Sequence, residues 1–136
     1  MKKEKHGYKI NDSGTRKVFE TGANRDLSSG KGRFDLLPPQ TIRALAIHYQ
    51  KGCEKYGERN WEKGIPVARY IDSALRHLFQ FLDGTDDGEN HLISALWNIA
   101  SCYETILRIQ QGRLPENLYD LVKKVTLPSV YPENTQ

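Results

Sequence analysis

Between Pro39 and Gln111 apolar residues recur at three- and four-residue steps, the spacing that lines one face of an α-helix. Ile42, Leu45, Ala46, Tyr49, Cys53 and Tyr56 make the first stripe, which predicts a helix from about Pro39 to Cys53 or Tyr56. Proline suits the opening turn because its missing N–H would lack an intrahelical partner there, and Gly57 predicts the end. Glu58 to Gly64 reads as a loop that Trp61 can anchor. A second helix is predicted from near Pro66 to just before Gly84. Tyr70, Ala74, His77 and Phe81 share one of its faces with Ile71, Leu75 and Leu78, while Arg69, Asp72, Arg76 and Gln80 line another. A third helix is predicted from about Gly88 to Gln111. Leu92, Leu96, Ile99, Tyr103 and Ile106 are expected to be its core stripe, beside a smaller and more polar stripe of His91, Ala95, Asn98 and Cys102. A short fourth helix is expected around Pro115 to Val125.

These elements predict an all-α fold, a small bundle of three main helices plus a short fourth, occupying residues 33–127 as one domain. Residues 1–32 lack hydrophobic periodicity and contain Asn11-Asp12-Ser13-Gly14 and Ser28-Ser29-Gly30, so they read as an extended arm with turns. Residues 128–136, beginning at Pro128, read as a flexible tail. One chain of three helices offers few wide core faces, so a homo-oligomer, a dimer completing the bundle, is expected.

Composition narrows the class. A chain of 136 residues can bury a core without staples. With 38% hydrophobic and 27% charged residues most of it should fold, while the mean hydropathy of −0.67 points to solvated ends. Cys53 and Cys102 make no disulfide framework and sit among apolar neighbours as small core residues. No apolar run is long enough to span a bilayer and no signal-peptide core follows the start, so no membrane role and a cytoplasmic location are expected. The net charge of +3 is uneven: residues 1–34 hold nine Lys/Arg against four Asp/Glu, which leaves the remainder net negative. A basic arm on a mildly acidic body suits contact with phosphates, of a nucleotide or of nucleic acid.

Four groups of residues carry candidate chemistry. Glu54-Lys55-Tyr56-Gly57-Glu58-Arg59-Asn60-Trp61 suits a nucleotide, because Tyr56 and Trp61 can stack on a base, Asn60 can read its edge and Lys55 or Arg59 can meet phosphate. A helix terminus with a solvated charge run explains the same residues structurally. Asp72, Arg76 and His77 are the second group; Asp72–Arg76 at i,i+4 is also an ordinary helix pair, and a histidine on an apolar face is often a core residue. The third, Asp83, Asp86, Asp87, Glu89, His91 and Asn98, places four carboxylates and a histidine within nine residues, a set that can hold a hard divalent cation. Asp86 three residues before Glu89 also resembles a capping box, which accounts for one or two of the acids but not for His91 and Asn98. Gly30-Lys31-Gly32-Arg33-Phe34-Asp35 is the fourth: two glycines beside two cations can wrap a phosphate, although the P-loop pattern is absent.

Gly30–Pro38, Gly52–Gly64, Ser73–Leu78, Asp87–Leu92 and Trp97-Asn98 together resemble a phage and bacterial family of dATP/dGTP diphosphohydrolase-type proteins, related to the all-α MazG-like NTP pyrophosphohydrolases. The Lys55-Tyr56-Gly57…Asn60-Trp61 and Arg76-His77-Leu78 pieces are the most specific. The resemblance implies hydrolysis of a purine deoxynucleoside triphosphate between the α- and β-phosphates, with Mg²⁺ or Mn²⁺ as cofactor. On this reading Glu54, Glu58, His77 and Asp87 are the catalytic candidates, and Asp87, Glu89 and His91 the metal ligands. Lys31, Arg33, Lys55, Tyr56, Asn60, Trp61, Arg76 and Asn98 are the substrate-binding candidates. The chain departs from the Glu-Glu-x-x-Glu and Glu-x-x-Asp helices of MazG-like enzymes: the first helix supplies only Glu54 and Glu58, and position 98 is Asn. That departure motivates an alternative, a nucleotide-sequestering protein without turnover. The basic arm motivates another, a nucleic-acid-binding accessory protein.

Overall fold

A computed structural model describes residues 10, 12–27 and 30–131. Lys2, Lys3, Lys5 and Lys9 of the expected arm, Asn11, the Ser28-Ser29 pair and the end of the expected tail lie outside the described residues.

Three helices dominate: α1 (Pro39–Tyr56), α2 (Val67–Leu82) and α3 (His91–Gln110). Two short strands, β1 (Arg16–Val18) and β2 (Asn24–Asp26), pair antiparallel with Lys17 opposite Arg25. An extended arm was expected there. The ribbon forms because Phe19 N–H reaches the Ala23 carbonyl at 2.9 Å and Gly22 N–H returns to the Phe19 carbonyl at 2.8 Å, closing a turn. The short fourth helix is reduced to a single 3-10 turn, Glu116–Leu118. The chain divides into two compact units, one spanning Leu36–Pro128 and the other taking in the described residues before and after it.

In the larger unit α2 packs along α3, and α1 also rests on α3. Val67, Tyr70, Cys102 and Ile109 form the buried centre, with Ile65, Trp97, Ile106, Leu114, Leu118, Tyr119 and Leu121 packed around it. The segment after α3 therefore contributes packing where it contributes little helix. It also caps α2. Pro66 precedes that helix and offers no side-chain cap, and the Asp120 carboxylate instead accepts from Ala68 N–H at 2.8 Å. Gly64 turns the chain at φ 112°, a backbone angle that favours glycine, and a Cβ there would push the tip of Leu118 aside, its Cδ1 lying 2.7 Å away.

The face of α3 turned inward differs from the one expected. His91, Ser94, Ala95, Asn98, Ser101, Cys102 and Thr105 are buried, whereas Leu92, Ile99 and Tyr103 are exposed. Small side chains let α1 and α2 approach α3 closely, and its buried hydroxyls are satisfied internally: Thr105 Oγ1 donates to the Ser101 carbonyl at 2.7 Å, and Ser101 Oγ pairs with Tyr49 Oη at 2.6 Å. A polar stripe can thus line a helix interface when its groups bond to the helix backbone or across to a neighbour. Cys102 lies within this interface with its thiol pKa pushed up by burial. No helix among the described residues is long and apolar enough to cross a membrane.

Candidate active site

A pocket of about 880 Å³ opens between the C-terminal half of α1, the following 3-10 turn (Asn60–Lys63) and the inner faces of α2 and α3. One end is aromatic. The Trp97 ring lies 5.7 Å from Tyr49, 6.1 Å from Tyr70 and 5.9 Å from His48, and Tyr49 lies 6.1 Å from Trp61. Trp61 is held from behind by Arg108, whose guanidinium sits 5.3 Å from the ring and also binds Glu62 at 3.1 Å. Burial pushes the His48 pKa down, which favours its neutral form. Burial likewise pushes the Tyr70 phenol up to about 12, with the Thr105 hydroxyl pulling the other way.

Arg59 and Arg69 line the same pocket. Arg59 takes a left-handed backbone (φ 57°) and binds Glu62 at 3.1 Å, whereas Arg69 has no ion-pair partner among the described residues. Two arginines on the wall of an aromatic pocket match a flat base carrying several phosphate charges.

The other end is imidazole and carboxylate. His77 Nδ1 and His91 Nδ1 lie 3.0 Å apart, His91 Nε2 meets Asp87 Oδ1 at 2.9 Å, and His77 Nε2 lies 3.9 Å from Glu89 Oε1. Ser94 Oγ donates to Glu89 Oε1 at 3.0 Å. His77, Glu89 and His91 each offer a ligand atom, all within 4.8 Å of one another. The turn leading into α3 makes this possible. Asn90, not Asp86 or Glu89, caps the helix by accepting from Ile93 N–H at 3.1 Å, which leaves Glu89 free for the cluster. Asp87 accepts from Glu89 N–H at 3.1 Å, and that bond, followed by the one from His91, holds its carboxyl below the usual carboxylate range.

The sequence-derived candidates scatter. Tyr56, Glu58, Asn60, Trp61, His77, Glu89 and Asn98 line the pocket, and His91 and Asp87 complete the cluster beside it. Glu54 and Lys55 are exposed on the last turn of α1 outside the lining, with Lys55 over the Tyr56 ring at 5.0 Å. Arg76 also lies outside it, binding Asp72 at 3.0 Å and Ser73 at 3.1 Å in the ordinary helix pairing. Asn98 donates to the Ser94 carbonyl at 2.8 Å. Lys31 binds Asp26 at 3.2 Å and Arg33 binds Asp35 at 2.8 Å, all in the smaller unit. His48, Tyr49, Arg69 and Tyr70 line the pocket without having been singled out. Tyr49 and Tyr70 lie on apolar stripes and read as core; the signal available in the sequence is the polar tip that each tyrosine carries within a largely apolar stripe.

Residues 21–113 match the family described as dATP/dGTP diphosphohydrolase, N-terminal. No curated protein and no solved structure matches the chain. The matched span carries all three helices, both ends of the pocket and the histidine–carboxylate cluster, and the chain belongs to the dATP/dGTP diphosphohydrolase N-terminal family.

Proposed function

We propose that this domain hydrolyses purine deoxynucleoside triphosphates to the monophosphate and pyrophosphate in a reaction that depends on a divalent cation. One observation carries the reading: His77 and Glu89 belong both to the lining of the aromatic pocket and to the metal-competent cluster. A nucleotide whose base packs against Tyr49, Trp61 and Trp97 thereby extends its phosphates past Arg59 and Arg69 toward His77. The family description supplies the substrate class.

His77, Glu89 and His91 would hold the cation, which lowers the charge on the phosphates and acidifies water. Glu58 lines the pocket and has no hydrogen-bond partner among the described residues, so it is the carboxylate free to take the proton of an attacking water. In that step a water oxygen bonds to the α-phosphorus, the bond to the bridging oxygen of the β-phosphate breaks, and pyrophosphate departs. Arg59 and Arg69 offset the charge that develops on the phosphoryl oxygens.

The exposed stripe of Leu75, Leu78 and Leu82 on α2, with Leu92, Ile99 and Tyr103 on α3, favours a second copy of the chain completing the bundle. Light scattering at micromolar concentration should give twice the mass of the 15.6 kDa chain; a monomeric mass would refute the dimer. The proposed setting is the cytoplasm, where nucleotide pools lie. The activity test is direct. Each dNTP is incubated with protein and Mn²⁺ or Mg²⁺, and products are resolved by ion exchange. Deoxypurine monophosphate with stoichiometric pyrophosphate is expected. Binding by calorimetry without either product would turn the reading to a sequestering protein.

A further inference from the structure

We propose that His77, His91 and Glu89 form a nitrogen-rich site selecting a first-row transition ion over magnesium, with Asp87 as its positioning residue. The inference rests on the reading above for the presence of a cation, but not for turnover.

Three observations converge on it. Two imidazoles suit the later first-row ions, Co²⁺, Ni²⁺ or Zn²⁺, whereas magnesium prefers a shell of oxygens and dehydrates reluctantly. The spacing also fits. Two nitrogens bonded at right angles to one ion, each about 2.0–2.1 Å from it, lie about 3 Å apart, and the two Nδ1 atoms are separated by 3.0 Å. Lastly, the cluster has the supporting shell of a ligand site. The carboxylate of Asp87 accepts from His91 Nε2, which leaves the His91 Nδ1 lone pair facing His77. Ser94 likewise holds Glu89 Oε1, and the His91 side chain is only 2% exposed. A buried, oriented imidazole with its lone pair directed at a second imidazole needs either a proton or a cation between them.

The competing occupant is therefore a shared proton. Apo protein, stripped with chelator and without nucleotide, is titrated with Co²⁺ and followed by visible absorption, with competition by Mg²⁺. One Co²⁺ per chain is expected, with a ligand-field band, and millimolar Mg²⁺ should leave it in place. His77→Ala should abolish the band. Asp87→Asn, which keeps shape but weakens the orienting bond, should loosen Co²⁺ by about 10–100-fold. Because His91→Ala can unsettle the buried helix start, nitrogen modulation in the spin-echo spectrum of the Cu²⁺-loaded wild type gives a check free of variants. Absence of a Co²⁺ band, a band insensitive to His77→Ala, displacement by equimolar Mg²⁺, or no imidazole nitrogen coupling would each overturn the proposal in favour of a shared proton. Co²⁺ binding without dNTP hydrolysis would leave this site standing and remove the enzymatic reading. Hydrolysis with Mg²⁺ that survives His77→Ala would do the reverse.

Discussion

At the aromatic end of the pocket Tyr49, Trp61, Tyr70 and Trp97 come from three helices and a 3-10 turn, whereas at the imidazole end Asp87, Glu89 and His91 fall within five consecutive residues and only His77 arrives from elsewhere. The first end exists only when all the helices are docked, so its residues serve packing as well as lining the pocket. The second is largely a local turn plus one helical neighbour, exposed at Asp87 and Glu89. Damage to the aromatic end should therefore register as lost stability, and damage to the imidazole end as lost chemistry with the fold intact.

The largest expected effect tests that contrast. Trp97→Ala removes a ring touching His48, Tyr49 and Tyr70 and should cost about 3 kcal/mol in urea unfolding. Glu89→Gln should change stability by less than about 0.5 kcal/mol while lowering activity. Equal losses of stability would abolish the distinction between the ends.

Next in size is a pH effect at Tyr70. Its folded pKa of about 12 lies above the ordinary value of 10.0, so the folded state holds its proton over a range in which the unfolded chain releases it. Stability from this group is complete below pH 10 and falls as pH rises toward 12, by roughly 2–3 kcal/mol at about 1.4 kcal/mol per pKa unit. Tyr70→Phe should flatten that alkaline limb and cost no more than about 1 kcal/mol at neutral pH, the worth of one hydrogen bond. An unchanged limb in Tyr70→Phe would show that another group governs it.

Arg69→Ala should weaken dATP binding about tenfold, the worth of one charge-assisted hydrogen bond, with stability unchanged. Arg76→Ala should leave calorimetric binding where it was, since that guanidinium is engaged by Asp72 and Ser73 outside the pocket. A larger loss from Arg76 than from Arg69 would relocate the phosphates. At the turn, Asn90→Ala removes the cap of α3 and should cost about 1 kcal/mol in thermal unfolding.

Much of the helical frame was legible in the chain. The predicted first and second helices match α1 and α2 closely, because Pro39 and Gly57 bracket one, and Pro66 and Gly84 the other. α3 begins three residues later than the predicted Gly88, since the acids around Glu89 imitate a capping box while Asn90 makes the cap. Lys55 and Arg76 sat in the most specific motifs, yet their side chains are engaged on the surface of their own helices. Motif spacing places a residue on a helix without saying which way the helix is turned.

By itself the sequence determined where α1 and α2 begin and end, and that imidazoles and carboxylates gather in the His77 and Asp87–His91 segments, because periodicity, prolines and glycines act within a turn or two of chain. Only the tertiary structure decided which stripe of α3 faces inward and that Tyr49 and Tyr70 line a pocket as well as a core. It alone brought His77 against His91. Those outcomes depend on contacts between residues far apart in the chain, such as the 2.6 Å bond from Tyr49 to Ser101 and the 3.0 Å approach of two imidazoles. Side-chain size and hydrogen bonding select them only once the helices meet.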